Sequence, residues 1–162
     1  MATTIRFNPF DKASVNAAIT ELNRFGPTSG SKVQDACMKV AEFGARYAAG
    51  EFASAGIRYD GNNDVTVVAE PTTSGAAVRA SGQAVLFLEY GAGAKYGYGH
   101  PRPGPYGPGT YPGKGHWNDP NGWIYQHDKP RSFGNRPSAA MYHAEQQMLD
   151  HAYEIAEKVF SR

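Results

Sequence analysis

Three histidines and two aspartates are the residues of this 162-residue chain that most resemble a metal site. His100, His116 and His127 lie close in sequence to Asp119 and Asp128. Imidazole and carboxylate are common zinc ligands, but steps of 16 and 11 residues between the histidines match no zinc pattern. We therefore expect these histidines to bond backbone groups or to stack on rings, and we predict no metal and no cofactor.

The sequence offers little for nucleophilic catalysis. Cys37 is the only cysteine, and it falls within the apolar stripe of a predicted helix, where a small buried residue is expected. The chain has neither a G-x-S-x-G nor an H-E-x-x-H motif, and "GAGAKYG" lacks the G-K-[ST] ending of a phosphate loop. Glu89, just before these glycines, is suited to capping a helix or pairing with an arginine. We predict no catalytic residues and no enzymatic activity.

The bulk composition excludes several other classes. A net charge of +1, from 16 basic and 15 acidic residues, provides no global attraction to nucleic acid or anionic membrane. A single cysteine excludes an intrachain disulfide and favours a reducing compartment. The N-terminus does not read as a signal peptide, and no run is apolar enough to span a membrane. We expect a protein made in the cytoplasm.

The most unusual segment is residues 91–137, which we call the arm. It holds 11 of the 19 glycines, eight of the 11 prolines and both tryptophans. Loops this long are usually functional or disordered, and disordered linkers are poor in aromatics. Tyrosine and tryptophan are enriched at interfaces. The pattern predicts an arm that becomes ordered on a partner, although a solvated loop remains an alternative. Its predicted contact residues are Tyr96, Tyr98, Tyr106, Tyr111, Trp117, Trp123, Tyr125, Arg131, Phe133 and Arg136.

The arm is also basic. It has six basic and two acidic residues, which leaves ten basic and 13 acidic residues for the rest of the chain. A basic aromatic arm on a weakly acidic body suits self-assembly, with the arm of one copy on the body of the next.

Around the arm, apolar periodicity predicts an α+β fold in a single domain, residues 1–162. In residues 1–90 we expect two helices, the first capped by Asp11 or Ser14, the second running from Ser29 or Ser31 to about Gly50. A small antiparallel meander of three short strands follows from about residue 56 to residue 80, with residues 61–64 as a turn. Residues 83–90 could be a strand or a helix. A C-terminal helix is expected over residues 138–162, beginning at Pro137 or Ser138.

In element order and in two motifs, the chain resembles the minor tail and neck components of long-tailed bacteriophages. These proteins carry an [FY]-[VIL]-E-[FY]-G-[TA]-G motif, which here is Phe87–Gly93, with Ala92 where threonine is usual. A glycine-, proline- and tryptophan-rich loop follows, and a P-x-x-[PA]-[AM] segment then starts the last helix. That segment is here "RPSAAM", residues 136–141, preceded by "SFGN" where a more proline-rich approach is usual.

The resemblance implies a structural virion protein that joins head to tail, or completes the upper end of the tail, as part of a ring around the DNA channel. The ring would be six- or twelve-fold, would contact other neck or tail proteins and could touch DNA without sequence preference, with no membrane involved. No catalytic residues are implied. Glu89, Tyr90, Gly91 and Gly93 would form the hinge at which the arm begins. The alternatives are a carbohydrate- or cell-wall-binding module that uses Trp117, Trp123 and the tyrosines of the loop, and a metal-dependent hydrolase that uses the histidines of the arm.

Overall fold

Helices dominate the fold, together with one small sheet. The computed structural model describes residues 11–23, 28–55, 63–93, 95–102, 119–124 and 131–161, with only the backbone described for the parts of 21–29 it includes. A two-stranded antiparallel sheet accompanies the helices, which confirms the α+β class. In chain order the elements are α1 (Lys12–Asn23), α2 (Thr28–Ser54), β1 (Thr66–Thr72), β2 (Gly75–Ser81), α3 (Val85–Tyr90) and α4 (Ala140–Phe160).

The described residues form two compact units, and long elements contribute to both. The first unit takes its residues from Met1–Ala45, Val68–Arg79 and Glu145–Arg162. The second takes them from Arg46–Val67 and Ala80–Ala144, and it includes the described part of the arm. Within the described ranges, no helix combines the length and the apolar character needed to cross a membrane.

In the first unit, small side chains allow the helices to approach closely. The Asp11 carboxylate accepts hydrogen bonds from the Ala13 and Ser14 amides, so it caps α1 as predicted. Gly44 of α2 packs so closely on Met148 of α4 that an added Cβ would overlap the thioether. Alanine is the common buried residue of this unit: Ala18, Ala36, Ala41, Ala45, Ala152 and Ala156.

The predicted meander is a single hairpin in the described chain. Residues 73 and 74 form the turn between β1 and β2, while the predicted run before residue 61 lies outside the described residues. Pro71 lies inside β1, although proline usually interrupts a strand. In a two-stranded sheet every strand is an edge strand, so a residue without an N–H can face away from the ladder.

The second unit has the larger apolar side chains. Phe52 of α2 and Leu88 of α3 are fully buried, and they pack with Ala48, Ala140 and Ala144. The Asn63 amide donates a 2.6 Å hydrogen bond to the Phe52 carbonyl near the end of α2. That helix passes Gly50 and ends at Ser54, four residues later than expected.

The ambiguous residues before the arm form a helix. The short helix α3 is oriented at its start by Asp64, whose carboxylate accepts hydrogen bonds from the Gln83 and Ala84 amides at 2.6 and 3.0 Å. The last helix, α4, begins at Ala140, so neither Pro137 nor Ser138 starts it. Ala139 cannot belong to the helix because its φ is +51°, in the left-handed region.

Candidate functional site

The two ends of the arm meet in the second unit. Ala92 and Asn135 exchange both backbone hydrogen bonds, at 3.0 and 2.9 Å, as an isolated antiparallel pair. Within the arm, Trp123 and Ser132 also exchange two backbone hydrogen bonds, at 3.0 and 2.8 Å. We use the name arm root for the described part of the arm, residues 91–93, 95–102, 119–124 and 131–137. The arm therefore leaves and rejoins the chain at one place.

Glycine makes this close meeting possible. Gly93 and Gly134 have φ of +90° and +94°, which side chains of L-residues disfavour. A Cβ on Gly93 would also overlap the Phe133 carbonyl, and one on Gly134 would overlap the Ala92 carbonyl. The predicted hinge residues Gly91 and Gly93 thus lie where two backbone segments touch, at the end of a helix and not of a sheet.

The returning end of the arm satisfies the last carbonyls of α3. The Asn135 amide donates to the Phe87 carbonyl at 2.8 Å, and the Ser138 N–H and hydroxyl donate to the Leu88 carbonyl at 2.7 and 3.0 Å. The Ala139 N–H donates to the Glu89 carbonyl at 3.2 Å. The final carbonyls of a helix have no partner within it, so these contacts fix α3 against residues 135–139.

Glu89 provides the reciprocal contact at the start of α4. Its Oε2 accepts the Met141 N–H at 2.9 Å and its Oε1 accepts the Tyr142 N–H at 3.2 Å. The first amides of a helix are unpaired and carry partial positive charge, so a carboxylate there both caps the helix and complements its dipole. The cap comes from a residue some 50 positions earlier in the chain. Glu89 was predicted to be a cap or an arginine partner, and it is a cap.

The third partner of the Glu89 carboxylate is a histidine. His100 Nε2 lies 3.0 Å from Glu89 Oε1, and the two side chains are only 4% and 7% exposed. The Arg102 N–H, which can only donate, points at His100 Nδ1 from 2.9 Å. Nδ1 must therefore accept, which places the proton of the neutral ring on Nε2, where it donates to Glu89.

Aromatic rings enclose this pair. The Tyr90 ring lies 4.7 Å from the His100 ring, and the Tyr142 ring lies 6.2 Å from it. The Arg102 guanidinium lies over Tyr142 at 5.3 Å. The sequence predicted that the histidine would bond backbone or stack, but not that it would pair with Glu89. The spacing could have suggested it, since the intervening residues are rich in glycine and could fold back over about ten positions.

The other predicted contact residues have different environments. Trp123 is buried within its own chain, with 6% of its surface exposed. Tyr96 and Phe133 are half-buried, and the Lys95 ammonium lies 5.3 and 5.0 Å from their ring centres. Tyr98 and Arg136 are exposed. Tyr106, Tyr111, Trp117 and Tyr125 lie outside the described residues.

Arg131 connects residues 119–124 to the C-terminal end of the arm, residues 131–137. Its guanidinium donates to the Asn121 and Gly122 carbonyls at 3.1 and 3.2 Å. The turn itself is closed by Asp119, which accepts the Asn121 N–H on its side chain and the Gly122 N–H on its carbonyl. Arg131 was predicted to contact a partner, and in the isolated chain it stabilises the arm root.

The described groups do not assemble a metal centre or an activated nucleophile. Within the described ranges, no three His, Cys, Asp or Glu side chains are placed to hold a metal ion, and His116 and His127 lie outside those ranges. The Cys37 thiol lines an apolar cleft of about 150 Å³ in the first unit, and burial raises its pKa, which disfavours the reactive thiolate. A second cleft, of about 530 Å³, lies beside the arm root and is lined in part by Tyr96, Arg136 and Ser138.

Glu89 is the centre of the contacts at the arm root. The buried Glu89 carboxylate, at the end of α3, binds the first amides of α4 and the ring of His100. Comparison of the chain with known protein families, with curated proteins and with solved structures found no significant match.

Proposed function

We propose that this chain is a structural protein of the neck or tail of a long-tailed bacteriophage. It would join head to tail, or complete the upper end of the tail, as one subunit of a six- or twelve-fold ring around the DNA channel. It would assemble with other neck or tail proteins in the host cytoplasm, remain in the virion and catalyse no reaction.

One observation carries the proposal: the two motifs behind the resemblance meet at the arm root. Phe87–Gly93 supplies Glu89 and the terminal carbonyls of α3, while residues 136–141 supply the donors that they bind. These hydrogen bonds hold both ends of the arm together and provide a rigid base. Such a base suits a part that contacts a neighbour, because its root is already ordered before association.

The exposed chemistry of the arm root also supports a contact with another macromolecule. Lys95, Arg131 and Arg136 are exposed cationic residues, and Tyr98 and Ile124 are exposed apolar residues near them in sequence. A mixed basic and apolar surface fits an acidic protein face. It could also meet DNA phosphates in the channel without sequence preference, but aromatic and aliphatic contact adds nothing specific to phosphate binding.

The carbohydrate-binding alternative is less well supported. Sugar stacking needs an accessible aromatic face, and Trp123 is buried in its own chain. That alternative therefore depends on tyrosines such as the exposed Tyr98 and on Trp117, which lies outside the described residues.

Electron microscopy of the purified chain, combined with trypsin digestion, tests the proposal. Trypsin does not cut before proline, so the bonds after Arg102, Lys129 and Arg136 resist it, and the arm retains only the bonds after Lys95, Lys114 and Arg131. We expect ring-shaped particles in which the bond after Lys114 is protected, and monomers in which it is cut rapidly.

The bonds after Lys95 and Arg131 serve as internal controls. Both lie in the arm root and should be cut slowly in either state, because the local hydrogen bonds must open first. A chain that stays monomeric at high concentration with the bond after Lys114 already resistant would contradict the proposal.

A further inference from the structure

The C-terminal half of α4 presents an outward face that has both apolar and acidic side chains. Tyr153 is 66% exposed and Leu149 is 39% exposed, one helical turn apart. Asp150, Glu154 and Glu157 are exposed in the same stretch. At about 100° per residue these five positions fall within an arc of roughly 140°, and the buried Ala152 lies outside this arc. We call these five residues the α4 outward face.

This face has the composition of an interface rather than of an ordinary solvated helix surface. An exposed helix face in a monomer usually carries polar residues at its centre. Here Leu149 and Tyr153 stand at i and i+4, and three carboxylates lie along one side of them, of which Glu154 pairs with Lys158. A partner that covers the apolar residues must also bring positive charge to Asp150 and Glu157.

The arm root has the complementary composition. Its exposed residues combine the cations Lys95, Arg131 and Arg136 with the apolar side chains of Tyr98 and Ile124. Lys95 and Arg136 lie in one neighbourhood, because Tyr96, whose ring contacts Lys95, lines the same cleft as Arg136. Opposite charge and matched apolar surface therefore occur on two different patches of the same chain.

We propose that the arm root of one copy docks on the α4 outward face of the next copy. The inference rests on the proposed ring and names the surfaces that would join its subunits. Because the two patches differ, each copy docks its arm root on one neighbour and receives the arm root of the other neighbour on its α4 outward face. The contact is therefore head-to-tail, and it closes into a ring when the rotation between copies closes.

Charge reversals in the full-length chain test this contact. The first variant, Lys95→Glu with Arg136→Glu, changes the arm root and leaves Arg131 in place, since its guanidinium holds the 119–124 segment. The second, Asp150→Lys with Glu157→Lys, changes the receiving face. Asp35→Lys is the matched control, an exposed acidic residue of α2 in the same unit. Sedimentation velocity measures self-association, and circular dichroism checks folding.

We expect each double variant to lower the association constant at least about tenfold, and Asp35→Lys to leave it unchanged. Combining all four reversals should restore association, because opposite charges face each other again. An equimolar mixture of the two double variants should also associate, with the two variants alternating, because each arm root then meets a face of opposite charge while like copies repel. Tyr153→Ala should weaken association by a similar factor without changing any charge.

Several results would overturn the inference. One is a wild-type chain that remains monomeric at all concentrations. Another is an oligomer whose association constant is the same in wild type and in both double variants, in which case the proposed ring stands but its subunits join through other surfaces. A third is an arm-root variant that loses affinity for DNA while its self-association is unchanged. The proposed virion role is tested separately, by detecting the chain in purified particles by mass spectrometry.

Discussion

A buried carboxylate needs a full set of donors, and Glu89 has three. Two are amides at the start of α4 and the third is the His100 ring, so each oxygen is satisfied despite its burial. Burial of an ion is unfavourable unless such partners are fixed in advance. The same three bonds connect α3, the outgoing end of the arm and α4, so one side chain links three parts of the second unit.

Glu89→Gln tests the importance of that charge. The glutamine carbonyl could accept one amide proton, but its NH₂ group would meet a second donor. We expect a loss of about 2 kcal/mol in the free energy of unfolding, measured by urea titration. Glu154→Gln is the control, because the Glu154–Lys158 pair lies on the surface and contributes little. An equal effect of both substitutions would show that Glu89 is not the anchor.

Asp64 predicts how stability depends on pH at the start of α3. Hydrogen bonds from the Ala84 and Gln83 amides hold the pKa of Asp64 below its usual value. A group with a lowered pKa in the folded state stabilises the fold above its unfolded pKa, about 3.9 for aspartate, and ceases to do so as pH falls through the lowered pKa. The difference in Tm between wild type and Asp64→Asn should therefore be constant from pH 7 to about 5 and shrink below that.

Glu154→Gln again provides the comparison. The pKa of Glu154 is lowered by the hydrogen bond and charge of Lys158, so its contribution should fall in high salt. The contribution of Asp64 depends on backbone amides and should persist there. A difference between wild type and Asp64→Asn that grows on acidification would contradict the assignment.

At the scale of elements, sequence periodicity predicted α4 well and its first residue poorly. The apolar repeat indicates that a helix is present, but the start depends on residues distant in sequence. Ala139 has a φ of +51°, outside the helical region, so α4 cannot continue backward through it, and the distant Glu89 caps the helix. Residues 83–90 were ambiguous for the same reason. The six residues of α3 are too few to form a stable helix by their own propensity, and hydrogen bonds with Asp64 and Asn135 hold its two ends.

Glycine substitutions test whether the two ends of the arm must touch. Gly93→Ala and Gly134→Ala should each lower the free energy of unfolding by about 3 kcal/mol or more, since they add both backbone strain and overlap with the opposite strand. Gly99→Ala is the matched control. Gly99 has a φ of +106° but nothing within 4 Å of an added Cβ, so only the strain of about 1 kcal/mol applies.

Thermal unfolding followed by circular dichroism measures all three glycine variants. Gly50→Ala in α2 is a second control, which should raise the free energy of unfolding. Its site is open, and alanine favours a helix over glycine by about 1 kcal/mol. Equal effects at Gly93, Gly99 and Gly134 would mean that the contact between the two ends contributes nothing.

At the scale of the whole molecule, composition located the unusual segment but not its internal support. The sequence shows a basic aromatic arm and a glycine-flanked glutamate, and both features are central to the site. It does not show that Trp123 is buried in its own chain or that Arg131 bonds to backbone carbonyls. Tyrosine, tryptophan and arginine serve interfaces and folded loops with the same chemistry, so their types alone do not distinguish the two.

Charge segregation predicts how self-association should respond to salt. The arm carries four net positive charges and the rest of the chain three net negative charges, so contact between copies brings opposite charges together. Raising the salt concentration should lower the association constant about tenfold or more, because exposed charges more than a Debye length apart are screened. Sedimentation velocity across a sodium chloride series measures this directly. A purely apolar contact would instead hold or tighten in sodium sulfate, which strengthens the burial of apolar surface, so opposite trends in the two salts would separate the two driving forces. Association that strengthens in both salts would show that the charge difference between arm and body plays no part in assembly.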